Sequence, residues 1–301
     1  MEVWIPITLM AATAQTVRFM LQKHLKSTSL STAGATLSRF WYSAPLVALI
    51  MISYASVSGQ AFPTLGGRFW IFALVGGMAQ ILATLCVVEL FSHRNFAVGI
   101  TFKKTEALQT GILGYLLLGE GVSRSGIVAI LVGFLGVIIL SDPPERASAS
   151  FRKSLFNRAA GLGMLSGILF AVSAVGYRGA SLSLASGDVF LRAGTTLAIV
   201  TASQTAAMTG WLAWRDRDQI GAVIRAWRVA SLVGLTSMVG SFGWFIAFTL
   251  QNAAYVKTLG QVELILSLAA SVYFFREKVT ARELSGMAIL VMSILILVAF
   301  N

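Results

Sequence analysis

Glu106 and Glu263 are the residues best placed to do chemistry. Each lies near the middle of a long apolar stretch, where a charge is costly unless it faces a cavity or a partner. Two roles follow. Each is either a carboxylate satisfied by a neighbouring Arg or Lys in helix packing, or a ligand for a polar solute and a carrier of protons. Lys103 stands one helical turn before Glu106, so the two share a helix face, with Thr110 on that face and Gln109 beside it. This pair either neutralises itself or touches solute directly. In the second stretch Lys257 and Gln261 share a face through their i, i+4 spacing, and Glu263 shares its face with Ser267 and Ser271. A carboxyl remote from cations in a dry cavity can take up and release a proton near neutral pH, whereas one beside a lysine keeps its charge. Glu263 has no lysine within a helical turn, so it is the expected proton carrier, with Glu106 as the second candidate.

Further polar groups join these. Arg18, with Gln15 close by, and Arg178, next to Tyr177, are candidates for binding solute, and Trp244 lines a pocket or sits in an aromatic belt. Arg39 and Arg192 lie nearer the ends of their apolar stretches, where long side chains snorkel to the interface. Glu89 reads as an interfacial partner of Arg94, and Trp211 and Trp214 as belt residues. No HExxH, Ser-His-Asp set, cysteine pair or phosphate-cradling loop is present, so neither a cofactor nor a metal is expected and ATP drive is excluded.

The elements that must position these residues are transmembrane helices. The 301-residue chain is 56% hydrophobic and 12% charged, with a mean hydropathy of +0.80. A soluble domain carries about 25% charged residues. The net charge of +11 resides between the apolar runs and marks membrane topology rather than nucleic-acid binding. The lone Cys86 allows no internal disulfide, and the N-terminus lacks the basic start of a signal peptide. A spanning helix needs about 20 apolar residues. Ten such spans are expected, at 4–22, 33–57, 69–92, 95–118, 124–141, 158–184, 188–214, 228–251, 254–275 and 280–300. Two connections are longer, 142–157 and 215–227. The first contains Pro143 and Pro144 and reads as a linker between halves.

A repeat supports that division. A shift of 157 residues superposes Arg68 on Arg225, Trp70 on Trp227, Asn95 on Asn252, Thr101 on Thr258, Glu106 on Glu263 and Glu120 on Glu277. A shift of 160 places Arg18 on Arg178. The fold class expected is an all-α membrane protein of ten transmembrane helices, built as two inverted five-helix repeats over 1–141 and 158–301. An odd number of spans per copy inverts the second copy, an architecture that transporters use to alternate access around a midplane site. Lys23, Lys26, Arg94, Arg152, Lys153, Arg215, Arg217 and Arg276 all follow odd-numbered spans, which places both termini outside the cytoplasm. The glycines Gly163 and Gly167 on span 6, and Gly111 and Gly114 on span 4, read as close helix contacts.

The segment Lys104-Thr105-Glu106-Ala107-Leu108, continuing to Gly114-Tyr115-Leu116-Leu117-Leu118-Gly119-Glu120, resembles the end of an EamA-like domain, and Glu263 through Arg276-Glu277-Lys278 repeats it. Two such domains in tandem resemble the drug/metabolite transporter superfamily over essentially the whole chain. The resemblance implies a central cavity lined by helices 1, 3, 4, 6, 8 and 9, a bacterial cytoplasmic (inner) membrane location crossed many times, and traffic in small metabolites. Relatives commonly have a proline after the Glu106 position and its mate. Ala107 and Leu264 stand there in this chain, so helices 4 and 9 are expected to be less kinked.

The leading functional expectation is a secondary transporter or facilitator, monomeric, in contact with membrane lipids and a small-molecule metabolite, with protons as the candidate coupling ion. Lys103, Lys104, Glu106 and Glu263 sum to zero charge, which suits a zwitterion such as an amino acid unless they neutralise one another. A lipid flippase is the alternative, and a membrane enzyme would need a surface acid or histidine set that the chain lacks.

Overall fold

The computed structural model describes residues 2–91, 106–141, 158–273, 276 and 280–300. Among these the chain is all-helical. In chain order the helices are α1 (Trp4–Thr28), α2 (Thr32–Ser58), α3 (Gly67–Leu90), α4 (Glu106–Leu118), α5 (Arg124–Ser141), α6 (Arg158–Leu182), α7 (Val189–Arg215), α8 (Arg217–Arg225), α9 (Trp227–Leu250), α10 (Ala253–Leu259), α11 (Val262–Tyr273) and α12 (Ala281–Phe300). Four of them, α2, α3, α6 and α9, are long and apolar enough to cross a bilayer. Their outward faces agree with a lipid solvent. On α3, Ile71, Leu74, Val75, Met78 and Leu82 are exposed at helical spacing, a continuous apolar stripe that water would penalise.

The helices follow from the apolar runs, with three differences from the expected spans. First, α1 continues past residue 22 to Thr28, because Gln22 and Leu25 are buried there and Gln22 Nε2 donates to the Ala35 carbonyl at 2.8 Å. Second, the 215–227 connection is not a plain loop but contains α8, a short amphipathic helix whose first turn carries Asp218 and whose last turn carries Arg225. It is too short to register as a span. Third, the ninth span is two helices, α10 and α11, broken at Gly260–Gln261.

Packing brings α3 against α6, α1 against α9, α2 against α7, α5 against α12, and α10 against α4. Small residues allow the tightest approaches. A Cβ at Gly176 of α6 would lie 2.9 Å from the Phe72 carbonyl on α3, and one at Gly243 of α9 would lie 2.8 Å from Ala11 on α1. A Cβ at Gly111 would lie 3.7 Å from Ala254 Cβ, and a Cβ at Gly114, which is buried, would meet no described atom within 4 Å. The ends of the bundle are also tied. Ser31 N, after α1, donates to Gln219 Oε1 of α8 at 2.9 Å. At the other end Tyr54 and Gln60 donate to Asp188, the N-cap of α7. The connections after α1 and α7 thus lie at one end, where Lys26, Arg217 and Arg225 gather.

Candidate functional site

The break in the ninth span organises the buried polar groups. At Gly260 the regular ladder gives way to shorter reaches: Gln261 N donates to Thr258 O at 3.1 Å, Glu263 N to Gly260 O at 3.1 Å, and Leu264 N to Gln261 O at 2.9 Å. No proline causes this. A Cβ at Gly260 would stand 2.6 Å from Trp244 Cη2, so only glycine lets the indole ring of α9 press against the chain at this point. The expectation of one continuous span over 254–275 is corrected by this break. Lys257 and Gln261 therefore belong to different segments rather than to one helix face, and both are buried.

Lys257 lies before the break and Glu263 just after it. Lys257 Nζ is 3.4 Å from Glu106 Oε2, with the two side chains 7% and 1% exposed. The ammonium also sits over three aromatic rings, 5.0 Å from Trp244, 5.5 Å from Phe248 and 5.6 Å from Phe170. Such faces stabilise a cation by their quadrupoles, most strongly when it is desolvated. Phe170 and Phe248 escaped notice in the sequence because isolated phenylalanines in apolar runs carry no signal. The Trp244–Phe248 spacing of one helical turn was the available clue. Lys103, the expected partner of Glu106, lies outside the described residues.

Glu263 is fully buried and accepts a hydrogen bond from Gln15 Nε2 at 3.0 Å. Gln15 Oε1 in turn accepts from Arg18 at 3.3 Å, and Arg18 also donates to Gln22 at 3.3 Å. An Arg–Gln–Glu relay therefore runs from α1 to the start of α11. Thr110 sits below Glu106 and donates to its backbone carbonyl at 2.6 Å. Among the buried polar atoms that have no partner within the described residues are Gln261 Oε1, Trp244 Nε1 and Ser267 Oγ. One is an acceptor, one a donor and one both. Buried polar groups are normally paired, so a cluster of orphans points to a ligand or water that completes them.

Arg178 is placed differently from its repeat mate Arg18. Its Nε lies 2.7 Å from both carboxylate oxygens of Glu120, and Nη1 donates to the Phe248 and Gln251 carbonyls. This charge-assisted pair, one N–H shared between both carboxylate oxygens, together with the Nη1 bonds fastens the end of α4 to α6 and α9. Tyr177 faces the other way. Its ring stacks on Phe245 at 4.3 Å and its hydroxyl accepts from Gln204 at 3.3 Å. Arg39 does not snorkel. It is 4% exposed, with Nε donating to Ser237 at 3.1 Å and Nη1 to Thr84 at 3.1 Å. Glu89 pairs with Lys26 at 3.5 Å and accepts from Thr32 at 2.6 Å, while Arg94 lies outside the described residues. Trp211 and Trp214 are exposed.

Two cavities are lined by other residues. A groove of about 420 Å³ between α4 and α5 is lined by Leu108, Ile112, Tyr115, Leu116, Ile130 and Leu131 among others, and is nearly all apolar. A second cavity of about 620 Å³ lies where the end of α1 meets α8 and α9, lined by His24, Thr28, Arg225 and Arg228 among others.

Comparison with known proteins agrees with this architecture. A protein of Lactiplantibacillus plantarum named "Putative sugar uptake protein" is 25% identical over 251 residues, covering 78% of this chain and 79% of that protein. A solved crystal structure of a protein superposes with a TM-score of 0.63 at 14% identity, covering 98% of this chain and 99% of that one. The chain shares that fold. No protein-family model matches the chain.

Against that background the buried cluster has two chemically distinct parts. Around Lys257 an ion pair is enclosed by aromatic rings with neutral orphan donors and acceptors close in sequence. Around Arg18 and Arg39 two guanidiniums are held by amides and hydroxyls.

Proposed function

We propose that this chain is a secondary transporter or facilitator that moves a small polyhydroxylated metabolite, a sugar or sugar-like solute, across the bacterial cytoplasmic membrane. The observation that carries the reading is the broken ninth span. Its two half-helices carry Lys257 before the break and Glu263 after it, with Gly260 against the Trp244 ring and the Lys257 ammonium 5.0 Å from it. Discontinuous helices of this kind are how transporters expose backbone and polar side chains to solute at depth.

The chemistry favours hydroxyls over a zwitterion. Glu106 and Lys257 neutralise each other at 3.4 Å. The groups left for solute are the Gln261 carbonyl, the Trp244 indole N–H and the Ser267 hydroxyl, alongside aromatic faces suited to the C–H face of a sugar ring. The name of the Lactiplantibacillus relative supports the same class.

Alternating access is the mechanism proposed, through two inverted EamA-like repeats over 1–141 and 158–301 joined by 142–157. Supporting it, the helix pairs α3·α6 and α1·α9 exchange when each element is replaced by its repeat mate, and α2·α7 and α5·α12 map onto themselves. Glu263 carries the proton in this scheme. Arg178 acts as a clamp rather than a ligand. A flippase would use a lipid-open groove with polar groups at depth, and the α4–α5 groove is apolar throughout.

The test is counterflow in proteoliposomes preloaded with glucose and given trace labelled glucose, then labelled amino acids. Saturable sugar accumulation that collapses in Gln261→Ala is the expected result. Accumulation of amino acids alone would overturn the sugar reading.

A further inference from the structure

Charge bookkeeping in the buried interior leaves one cation without a counter-charge. The buried charged side chains among the described residues are Arg18, Arg39, Glu106, Lys257 and Glu263. Glu106 is taken by Lys257, and Glu263 is linked to Arg18 through Gln15. Arg39 remains. Its guanidinium is held by two neutral hydroxyls, Ser237 and Thr84, and no carboxylate pairs with it among the described residues. The other acids whose side chains are described are engaged or remote. Glu89 is with Lys26, Glu120 with Arg178, Asp188 with Tyr54, and Asp216 and Asp218 are exposed. The segment 92–105 contributes no acid, only further cations. Arg39 is also close enough to Arg18 for the two to repel.

A guanidinium in this position is expensive. Arg39 stands about 10 Å along α2 from Thr32, at about 1.5 Å per residue, and it turns inward to α3 and α9 instead of outward to the interface. Packing alone would favour an apolar residue there, since a buried charge is retained at a cost of several kcal/mol unless compensated. Intramembrane charges of this kind mark solute pathways. The planar fork of an arginine, backed by two hydroxyls and a second arginine, is the donor set that a carboxylate or phosphate accepts from.

We propose that Arg39, with Arg18, Thr84 and Ser237, forms a subsite for an anionic group of the transported solute, a carboxylate or a phosphate. The inference rests on the transporter reading and narrows its substrate class from sugars in general to acidic sugars. The Arg18–Gln15–Glu263 relay joins this subsite to the broken helix. An anion arriving at Arg39 draws Arg18 toward itself and loosens its hold on Gln15, which frees Glu263 to exchange a proton. Charge on the solute and protonation of the carrier are thereby coupled.

Purified full-length protein is titrated with glucose, glucuronate and glucose 6-phosphate, reading the shift in melting temperature, and the same preparation is assayed for glucose counterflow. Glucuronate or glucose 6-phosphate is expected to bind at least tenfold more tightly than glucose, and which of the two wins separates carboxylate from phosphate. Arg39→Gln should erase that preference while keeping the response to glucose, and Arg39→Lys should retain part of it. Equal binding of glucose and both anions by the wild type overturns the subsite without any variant being needed. If glucose counterflow persists in that case, the transporter reading stands alone. Anion binding without counterflow of any of the three solutes retains the subsite and overturns the transporter reading instead. Unchanged anion preference in a folded Arg39→Gln protein also overturns the subsite.

Discussion

Lys257 Nζ lies 3.4 Å from Glu106 Oε2, although 151 positions separate the two residues in the chain. The pair joins the first half of the protein to the second at the point where the ninth span breaks. A contact there holds α10 against α4.

Removing one member of this pair strips the other of its counter-charge in a desolvated place. Glu106→Gln is expected to cost about 3–5 kcal/mol of stability. Glu106→Gln combined with Lys257→Met should recover at least half of that loss. Thermal melting in detergent of the two singles and the double checks it, and strictly additive losses would show the pair to be uncoupled.

Glu263→Gln removes the ionisable group at the head of α11 while keeping its shape. Proton-driven accumulation should fall at least tenfold, and counterflow, which needs no proton gradient, should persist. Both are read in the same vesicles with and without a pH step. Full retention of gradient-driven accumulation would rule Glu263 out as the proton carrier.

Gly260→Ala places a methyl 2.6 Å from Trp244 Cη2 and 3.1 Å from the Val256 carbonyl. The ring must move or the break must open, at a cost of about 1–3 kcal/mol. Sugar affinity should fall at least tenfold because the Trp244 ring, which carries a buried indole N–H without a partner among the described residues, is displaced from the break. Trp244→Ala in the same background should relieve the destabilisation but not restore binding, which a melting curve and a binding titration separate.

Asp188 caps α7, accepting from Leu191 N at 2.9 Å, from the Tyr54 hydroxyl at 2.6 Å and from Gln60 at 3.1 Å. The Tyr54 hydrogen bond above all, then that from Leu191, holds its carboxyl below the usual carboxylate range. The folded state therefore binds this proton less readily than the unfolded one. Its contribution is complete above the unfolded value of about 3.9 and disappears as pH falls through the lower folded value. The melting temperature should drop as pH falls below about 4 in the wild type, and Asp188→Ala should show less of this acid loss while costing about 1 kcal/mol at neutral pH.

Much of the helical layout was legible in the amino-acid order. Apolar runs of about 20 residues located α2, α3, α7 and α9 to within a residue or two, because lipid demands continuous backbone hydrogen bonding and the composition reveals where that occurs. The internal register drew attention to Glu106 and Glu263, and both are buried. Other features escaped. Hydropathy averages over a window, so a two-residue interruption at Gly260–Gln261 leaves no trace in it. The nine residues of α8 were too few and too polar to stand out as a span.

The same division holds for the site. Residue types and periodicity determined that charged groups sit at depth in an apolar chain, since no arrangement of these stretches keeps Glu106 and Glu263 in water. Which charge meets which was decided only by the tertiary packing. Glu106 finds Lys257 on another helix, Glu263 finds Gln15 from α1, Arg178 is drawn off to Glu120, and Arg39 turns inward to Ser237 and Thr84. Spacing along one helix constrains only neighbours a turn apart, whereas these partners come from helices that meet because small residues such as Gly176 and Gly243 let their backbones approach.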